Sequence, residues 1–356
     1  MRILVTGSGG HLGEALMRTF RGSRTDAIGL DIRPTPFTDR VGSIVDRNFV
    51  NQCLQGIEAV LHTATLHKPH VATHRRQDFI DTNLTGTLNL LEESLLAGVK
   101  SFVFTSTTSV FGHALTPAHG EPAAWITEKV TPVPKNIYGI TKLAAEHLCE
   151  HFHRKHKLPC MVLRTSRFFP EMDDDPRARQ AYADANLKAN ELLFRRADIE
   201  DVVSAHLLAM EQAVAAGFGR YIISATTPFS REDVHELLAD AAAVVRRYVP
   251  MYELEYQRRG WSMTLRSIAS TSMHLRAVNW VGNRGMTSTT PYNACARTKI
   301  IAAPWLEPWA ARAITKRPSP KARIRSNDAL STRCNQAIRL YDTGCSVTPA
   351  NGKYGR

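Results

Sequence analysis

The chain is short of the features that mark several protein classes. Its six cysteines, Cys53, Cys149, Cys160, Cys295, Cys334 and Cys345, form no CxxC pair and no metal-ligand spacing. That argues against a disulfide framework or a zinc module and for a reduced, cytoplasmic protein, with no metal expected. No apolar run reaches the roughly 18 residues of a membrane span. The start, Met1-Arg2-Ile3-Leu4-Val5, runs directly into a glycine-rich turn, so it reads as a strand and not as a signal peptide. With 43% hydrophobic and 22% charged residues, the composition is that of an ordinary globular protein.

Acidic residues are scarce in one stretch only. Residues 264–356 hold 15 Lys and Arg against Glu307, Asp328 and Asp342, which accounts for the whole net charge of +12. The first 263 residues carry 30 charges of each sign. A nucleic-acid partner would therefore rest on the tail alone. The tail also lacks any sustained hydrophobic period, although it contains Trp280, Trp305 and Trp309. One reading is a basic disordered extension. The preferred reading is a frame error near residue 264. Codons for Val278 to Ser288 can be chosen so that a shifted frame reads Glu-Leu-Gly-Trp-Gln-Pro-Arg-Tyr-Asp-Phe. Those for Arg266 to Met273 can likewise conceal Ile-Asp-Arg-Val-Tyr-Val-Asp. On that reading the charge says nothing about partners, and nucleic acid is not expected.

Two short motifs carry the chemistry. Gly7, Gly10 and Gly13 follow the strand Ile3-Leu4-Val5 with GxxGxxG spacing, the pattern of a dinucleotide-binding turn. The helix that follows offers free N–H groups and a positive dipole end to phosphate. A second strand, Ala27 to Leu30, ends in Asp31, placed to hold ribose hydroxyls. A carboxylate there repels a 2′-phosphate, so NAD is favoured over NADP, although Arg33 keeps NADP open. The second motif is Tyr138-Gly139-Ile140-Thr141-Lys142. Tyr and Lys at i, i+4 share one helix face. Such a pair is often a routine surface feature. Downstream of a cofactor cradle it becomes a proton-handling pair, in which an ammonium favours the phenolate of a tyrosine whose reference pKa is near 10.

Further units repeat the same rhythm. Ala59 to His62 reads as a buried strand leading to Thr63-Ala64, Phe79 to Ala97 as a helix, and Ser101 to Thr105 as a strand. Arg220 to Ser224 reads as the last strand, and Ser230 as the cap of a helix over 231–239, with Asp233 as its partner. The expected fold is α/β, a Rossmann-type doubly wound parallel sheet with a smaller C-terminal substrate-binding region. Residues 1–168 would form the cofactor domain, with its sheet completed by about 197–226. Residues 169–196 and 227–263 would form the substrate region, and 264–356 a basic tail of low order.

These motifs together resemble the extended short-chain dehydrogenase/reductases of the NAD-dependent epimerase/dehydratase family. The resemblance covers about residues 1–260. Its carriers are the glycine turn, Asp31, the segment Asn83 to Glu92, the strand end Phe104 to Thr107, and the Tyr138/Lys142 pair. It implies a catalytic set of Thr107, Tyr138 and Lys142. It also implies NAD contacts from Gly7, Gly10, His11, Leu12, Gly13, Asp31, Ser43, Ile44, Thr63, Ala64, Asn83, Tyr138 and Lys142. The activity implied is hydride transfer at a hydroxyl of a sugar, sugar acid or sugar nucleotide, by oxidation or by epimerisation through a transient ketone. A homodimer built on segments 79–97 and 138–156 is also implied.

Three departures qualify this. Ser43 stands where the family often has an Asp directed at the adenine. Thr108-Ser109 replaces the Asp-Glu pair of sugar-nucleotide dehydratases and argues against dehydration. Arg167 replaces the Asn that meets the nucleotide diphosphate in many epimerases, and it could meet a diphosphate or a carboxylate instead.

For the substrate, His67, Lys68, Thr107, Thr108 and Arg167 are the candidates. His62, His67, His70 and His74 read as a polar loop over the site rather than as a metal centre, and Asp173 to Asp175 as a solvated acidic turn. Two other readings compete with the enzyme: a non-catalytic NAD-binding sensor or scaffold, and nucleic-acid binding through the tail.

Overall fold

A computed structural model describes residues 1–173 and 175–264, together with the backbone of 269–271. The N-terminal half alternates strands and helices. The strand β1 (Ile3–Thr6) leads through the glycine turn to α1 (His11–Gly22) and β2 (Ala27–Asp31). There follow β3 (Arg40–Val41), α2 (Arg47–Cys53), β4 (Ala59–His62) and the short helix α3 (Arg76–Phe79). Next come α4 (Gly86–Leu96), β5 (Ser101–Thr107), β6 (Ala124–Ile126), α5 (Ile137–His156) and β7 (Cys160–Thr165).

The helices α6 (Pro176–Ala181), α7 (Asp184–Leu192) and α8 (Ile199–Ala216) precede β8 (Phe218–Ile223). Helices α9 (Val234–Ala239), α10 (Ala241–Tyr248) and α11 (Tyr252–Arg259) follow, and then β9 (Ala269–Thr271).

Seven strands form one parallel sheet in the order β3-β2-β1-β4-β5-β7-β8. The order reverses beside β1, which opens a crevice between the C-terminal ends of β1 and β4. Apolar alternation explains why both faces are covered. Ile3 and Val5 pack with Leu16, Met17 and Phe20 of α1 and with Val202 and Met210 of α8. Leu4 points the other way, packing with Val50, Leu54, Leu90 and Phe152 of α2, α4 and α5. Each such side chain contributes about 1.5–3 kcal/mol when buried. A separate cluster of Leu193, Phe229, Leu237, Val244, Val245, Tyr252 and Tyr256 gives the segment that follows the sheet its own core.

Several expectations are refined. The helix expected over 79–97 is interrupted: Ile80–Thr85 forms a wide π turn before α4 begins. Gly86 lies at the join, where an added Cβ would meet Ile44 Cδ1 at 2.6 Å, so the chain can approach this closely only with glycine. The helix expected over 231–239 opens with a 3-10 turn, Arg231–Asp233, and Ser230 N donates to Asp233 Oδ2 at 2.7 Å.

The segment 269–271, inside the stretch expected to lack regular structure, pairs in parallel with β6. Residues 272–356, where most of the expected tail and of the concealed reading frame falls, lie outside the described residues. Among the described residues no helix is long and apolar enough to cross a membrane.

Candidate active site

Gly7 sits at φ +71°, and an added Cβ would lie 2.7 Å from the Ala64 nitrogen. The turn is thus pressed against the end of β4, where Thr63 Oγ1 donates to the Thr6 carbonyl at 2.7 Å. Ala64 N donates to Thr6 Oγ1 at 3.3 Å. Helix α1 starts at His11 and Leu12 behind Gly10, and no side chain caps it. Its first amides are therefore left for an anion, as at other glycine-turn helix starts. At the tip of β2, Asp31 accepts from Gly9 N at 3.0 Å and from Arg33 N at 2.9 Å. A carboxylate has about four acceptor positions, so two remain for a ribose diol. The Arg33 guanidinium lies across the turn, donating to Gly9 O at 3.0 Å. Ser43 Oγ is used locally, accepting from Val45 N at 3.2 Å, and Ile44 is buried. This set has the shape and donor chemistry of a dinucleotide cradle.

Asn83 has its polar atoms committed within the chain. Its Oδ1 accepts from Leu66 N at 2.8 Å and Thr65 Oγ1 at 3.0 Å. Its Nδ2 donates to Leu66 O at 2.9 Å and Thr141 Oγ1 at 3.1 Å. The π turn thus presents Asn83 as a brace between the loop after β4 and α5.

The reacting groups come from β5 and α5. Asn136 caps α5, its Oδ1 accepting from Gly139 N at 3.0 Å, and this places Tyr138 in the first turn and Lys142 in the second. Thr107, at the C-terminal end of β5, accepts from Ser109 N at 3.1 Å, and its hydroxyl acts on the Tyr138 phenol. The Lys142 Nζ lies 4.0 Å from the centre of the Phe104 ring. All three site residues are buried.

Burial shifts both groups of the pair. It pushes the Tyr138 phenol up to about 12, opposed only in part by the Thr107 hydroxyl. It pulls the Lys142 ammonium down to about 7, opposed by Cys149 and Glu146. In the protein alone, desolvation of both groups outweighs the expected help from ammonium to phenolate.

The substrate candidates divide. Thr108 adjoins Thr107 at the strand end. His67 sits in the loop after β4, with its ring 5.4 Å from Phe169 and 4.4 Å from His70. Lys68 opens the 3-10 turn Lys68–Ala72 and is exposed. Arg167 is drawn inward instead, with its NH1 2.7 Å from Asp173 Oδ2 and 3.8 Å from Glu191 Oε1.

That pairing corrects the solvated acidic turn. Asp173 is buried, and it meets Arg195 as well. Asp174 lies outside the described residues. His62 is likewise not part of a polar loop. It is buried in β4 between Thr6 Oγ1 at 2.8 Å and Thr87 Oγ1 at 2.9 Å, and burial holds its pKa well below the usual value. Among the described residues no group of three His, Cys, Asp or Glu is placed to hold a metal ion.

Two features escape sequence reading. One is a row of touching rings, His11–Phe168–Phe169–His67–His70–His74, with centroid spacings of 6.2, 4.4, 5.4, 4.4 and 4.9 Å, stacked at its first pair, tilted at the next two and edge-on at the last two. It joins the start of α1 to the loop after β4. The aromatic doublet directly after Arg167 was the only hint of it. The other is a buried carboxylate, Glu146, one helical turn beyond Lys142.

The sequence profile described as the NAD dependent epimerase/dehydratase family matches residues 3–223, which spans the sheet and every group named above except the outer substrate helices. The chain belongs to this family.

Family members similar in sequence include an uncharacterised protein, y4nG, of Sinorhizobium fredii, 32% identical over 45% of this chain and 39% of its own length. The UDP-glucose 4-epimerase of Streptomyces lividans is 29% identical over 41% of this chain and 46% of its own. The chain spans about half the length of the curated relatives it matches. Among solved structures, a short-chain dehydrogenase/reductase superfamily protein from Agrobacterium tumefaciens with bound NAD superposes with a TM-score of 0.57 at 24% identity. That match covers 83% of this chain and 96% of the other. MoeE5 in complex with UDP-glucose and NAD gives 0.55 at 22% identity, over 88% and 100%. At these identities the structures establish the shared fold.

Proposed function

We propose that the chain is an NAD-dependent oxidoreductase or epimerase that acts on a hydroxyl of a sugar, sugar acid or sugar nucleotide. The observation that carries this reading is the burial of Thr107, Tyr138 and Lys142 where the end of β5 packs on α5, beside a glycine turn whose helix start is uncapped. The names of UDP-glucose epimerases among the relatives support a sugar-nucleotide substrate. Thr108-Ser109 stands against dehydration, and the intact Tyr138/Lys142 pair against a purely cofactor-binding protein.

The residues fit NAD. The amides of His11 to Gly13 would hold the pyrophosphate, the remaining acceptor positions of Asp31 the adenosine ribose, and Lys142 with Tyr138 the nicotinamide ribose. Bound there, NAD supplies a hydride acceptor. Thr107 and Tyr138 would hold the reacting oxygen between two hydroxyls. Tyr138 would take its proton, a step made accessible at neutral pH once positive charge beside the ring offsets burial. His67, Lys68, Thr108 and Arg167 would face the rest of the substrate, with Arg167 already balanced by Asp173 and Glu191.

The test is turnover of a panel of UDP-sugars, sugar acids and free sugars with NAD, followed by NADH absorbance and by sugar analysis. Accumulating NADH marks a dehydrogenase, and an altered sugar without NADH marks an epimerase. Cofactor binding with no turnover of any class, or turnover unchanged in Tyr138→Phe, overturns the reading.

A further inference from the structure

Glu146 is fully buried, yet nothing in the proposed chemistry uses it. Its carboxylate is closely surrounded by donors. Ser106 Oγ donates to Oε1 at 2.5 Å. Arg164 Nε lies 3.1 Å from both oxygens, and Arg164 NH2 donates to Oε2 at 2.7 Å. Arg220 Nε stands 3.5 Å from Oε2, and Arg220 also pairs with Glu150. The Arg164 guanidinium in turn lies 5.0 Å from the centre of the Phe111 ring. One side chain of α5 therefore ties together β5, β7 and β8.

The positions of its partners give this clamp a function. Ser106 directly precedes Thr107, so the bond to Glu146 fixes the last residues of β5 against α5. Glu146 lies at i+4 from Lys142, on the same helix face and one turn deeper. A buried charge acts strongly over one turn, because little water screens it.

We propose that Glu146 is a positioning residue for the Thr107/Tyr138/Lys142 set: its carboxylate holds the β5 end at its distance from α5 and places negative charge one helical turn from Lys142. This deepens the reading given under Proposed function and rests on it. The other groups around Lys142 are Tyr138 and Cys149 on α5, His62 on β4 and the Phe104 ring on β5, with Arg164 and Arg220 behind the carboxylate. Among them Glu146 is the one carboxylate. Removing its charge leaves Arg164 uncompensated while Arg220 keeps Glu150, and the loss of the carboxylate and the bare Arg164 both act against a protonated Lys142.

The experiment is a carbon-13 NMR titration of the lysine ε-methylenes in the full chain, with Lys142 assigned by loss of its signal in Lys142→Met. No substrate is needed, so failure here is distinct from failure to find a reaction. In Glu146→Gln the Lys142 midpoint moves to lower pH by about one unit. Glu146→Asp, which keeps the charge, returns it toward the wild-type value even where the melting temperature stays low. Should Glu146→Gln fail to fold, Ser106→Ala serves: it removes one donor and leaves the carboxylate less compensated, so the midpoint rises. A lowered melting temperature with the Lys142 midpoint unmoved in these variants overturns the proposal and leaves Glu146 a fold-holding residue only.

Discussion

Gly13 lies so close to Gly7 that a Cβ placed on Gly13 would sit 2.0 Å from the Gly7 carbonyl oxygen. The contact is backbone against side-chain position, so no rotamer change relieves it. The first turn of α1 is thereby seated on the end of β1, and the uncapped amides keep one fixed direction.

Replacing Gly13 by Ala therefore displaces the turn. NAD affinity in Gly13→Ala falls by at least about tenfold, equivalent to about 1.4 kcal/mol. The melting temperature falls with it. Isothermal titration with NAD checks the first and thermal denaturation the second. Unchanged affinity would mean that the turn tolerates a shift the close packing forbids.

Tyr138→Phe retains the ring and loses the proton. Turnover falls by about 10²–10⁴-fold, the usual range for loss of a general acid–base group, while NAD binding changes little. Thr107→Val, which loses the hydroxyl partner, lowers turnover less. Steady-state kinetics on the substrate found in the panel compares the two.

The depressed Lys142 couples stability to pH. Its folded value is about 7, against a reference of 10.5. Between those values the unfolded chain binds more protons than the folded one, so this group's contribution makes stability rise with pH from about 7 toward 10.5. Below about 7 both states are protonated and the burial cost is fully present. Denaturant unfolding of the NAD-free protein shows a rising slope over that window, and Lys142→Met flattens it. An equal slope in both proteins would place the titration elsewhere.

Asp173 holds Arg167 and Arg195 in the substrate region. Asp173→Ala leaves Arg167 and Arg195 to Glu191 and costs about 1–3 kcal/mol, below the loss of a fully buried pair because Glu191 remains and both arginines keep some contact with water. The loss is local, so limited proteolysis cuts first in residues 169–192. Asp173→Asn keeps a hydrogen-bond acceptor and loses less.

The tail has its own measurement. We propose that residues 264–356 are the product of a frame error, and sequencing the coding DNA across codons 255–300 decides it. A one- or two-base discrepancy that restores Glu-Leu-Gly-Trp-Gln-Pro supports the proposal. An intact frame overturns it and makes salt-dependent nucleic-acid binding, abolished by removing 264–356, the next measurement.

The parts of the site that depend on local spacing were readable in the chain. GxxGxxG after a strand, an acid at the end of the next strand, and Tyr and Lys four apart need only the geometry of single elements. What was not readable depends on which elements meet. Arg167 looked like an open anion site until the loop carrying Asp173 folded back on it. His62 looked like one of four loop histidines, although its strand places it between Thr6 and Thr87. The burial of Tyr138 and Lys142 was not readable either, because spacing reveals neighbours but not desolvation. Glu146 carried no local signal at all, since its meaning comes from strands 40 and 18 residues away in sequence.

The row of rings from His11 to His74 has one more consequence. It runs without a break from the edge of the cofactor cradle, through the doublet after Arg167, to the loop beside the substrate candidates. Phe169 touches Phe168 on one side and His67 on the other, so any shift of its ring is felt by both neighbours at once.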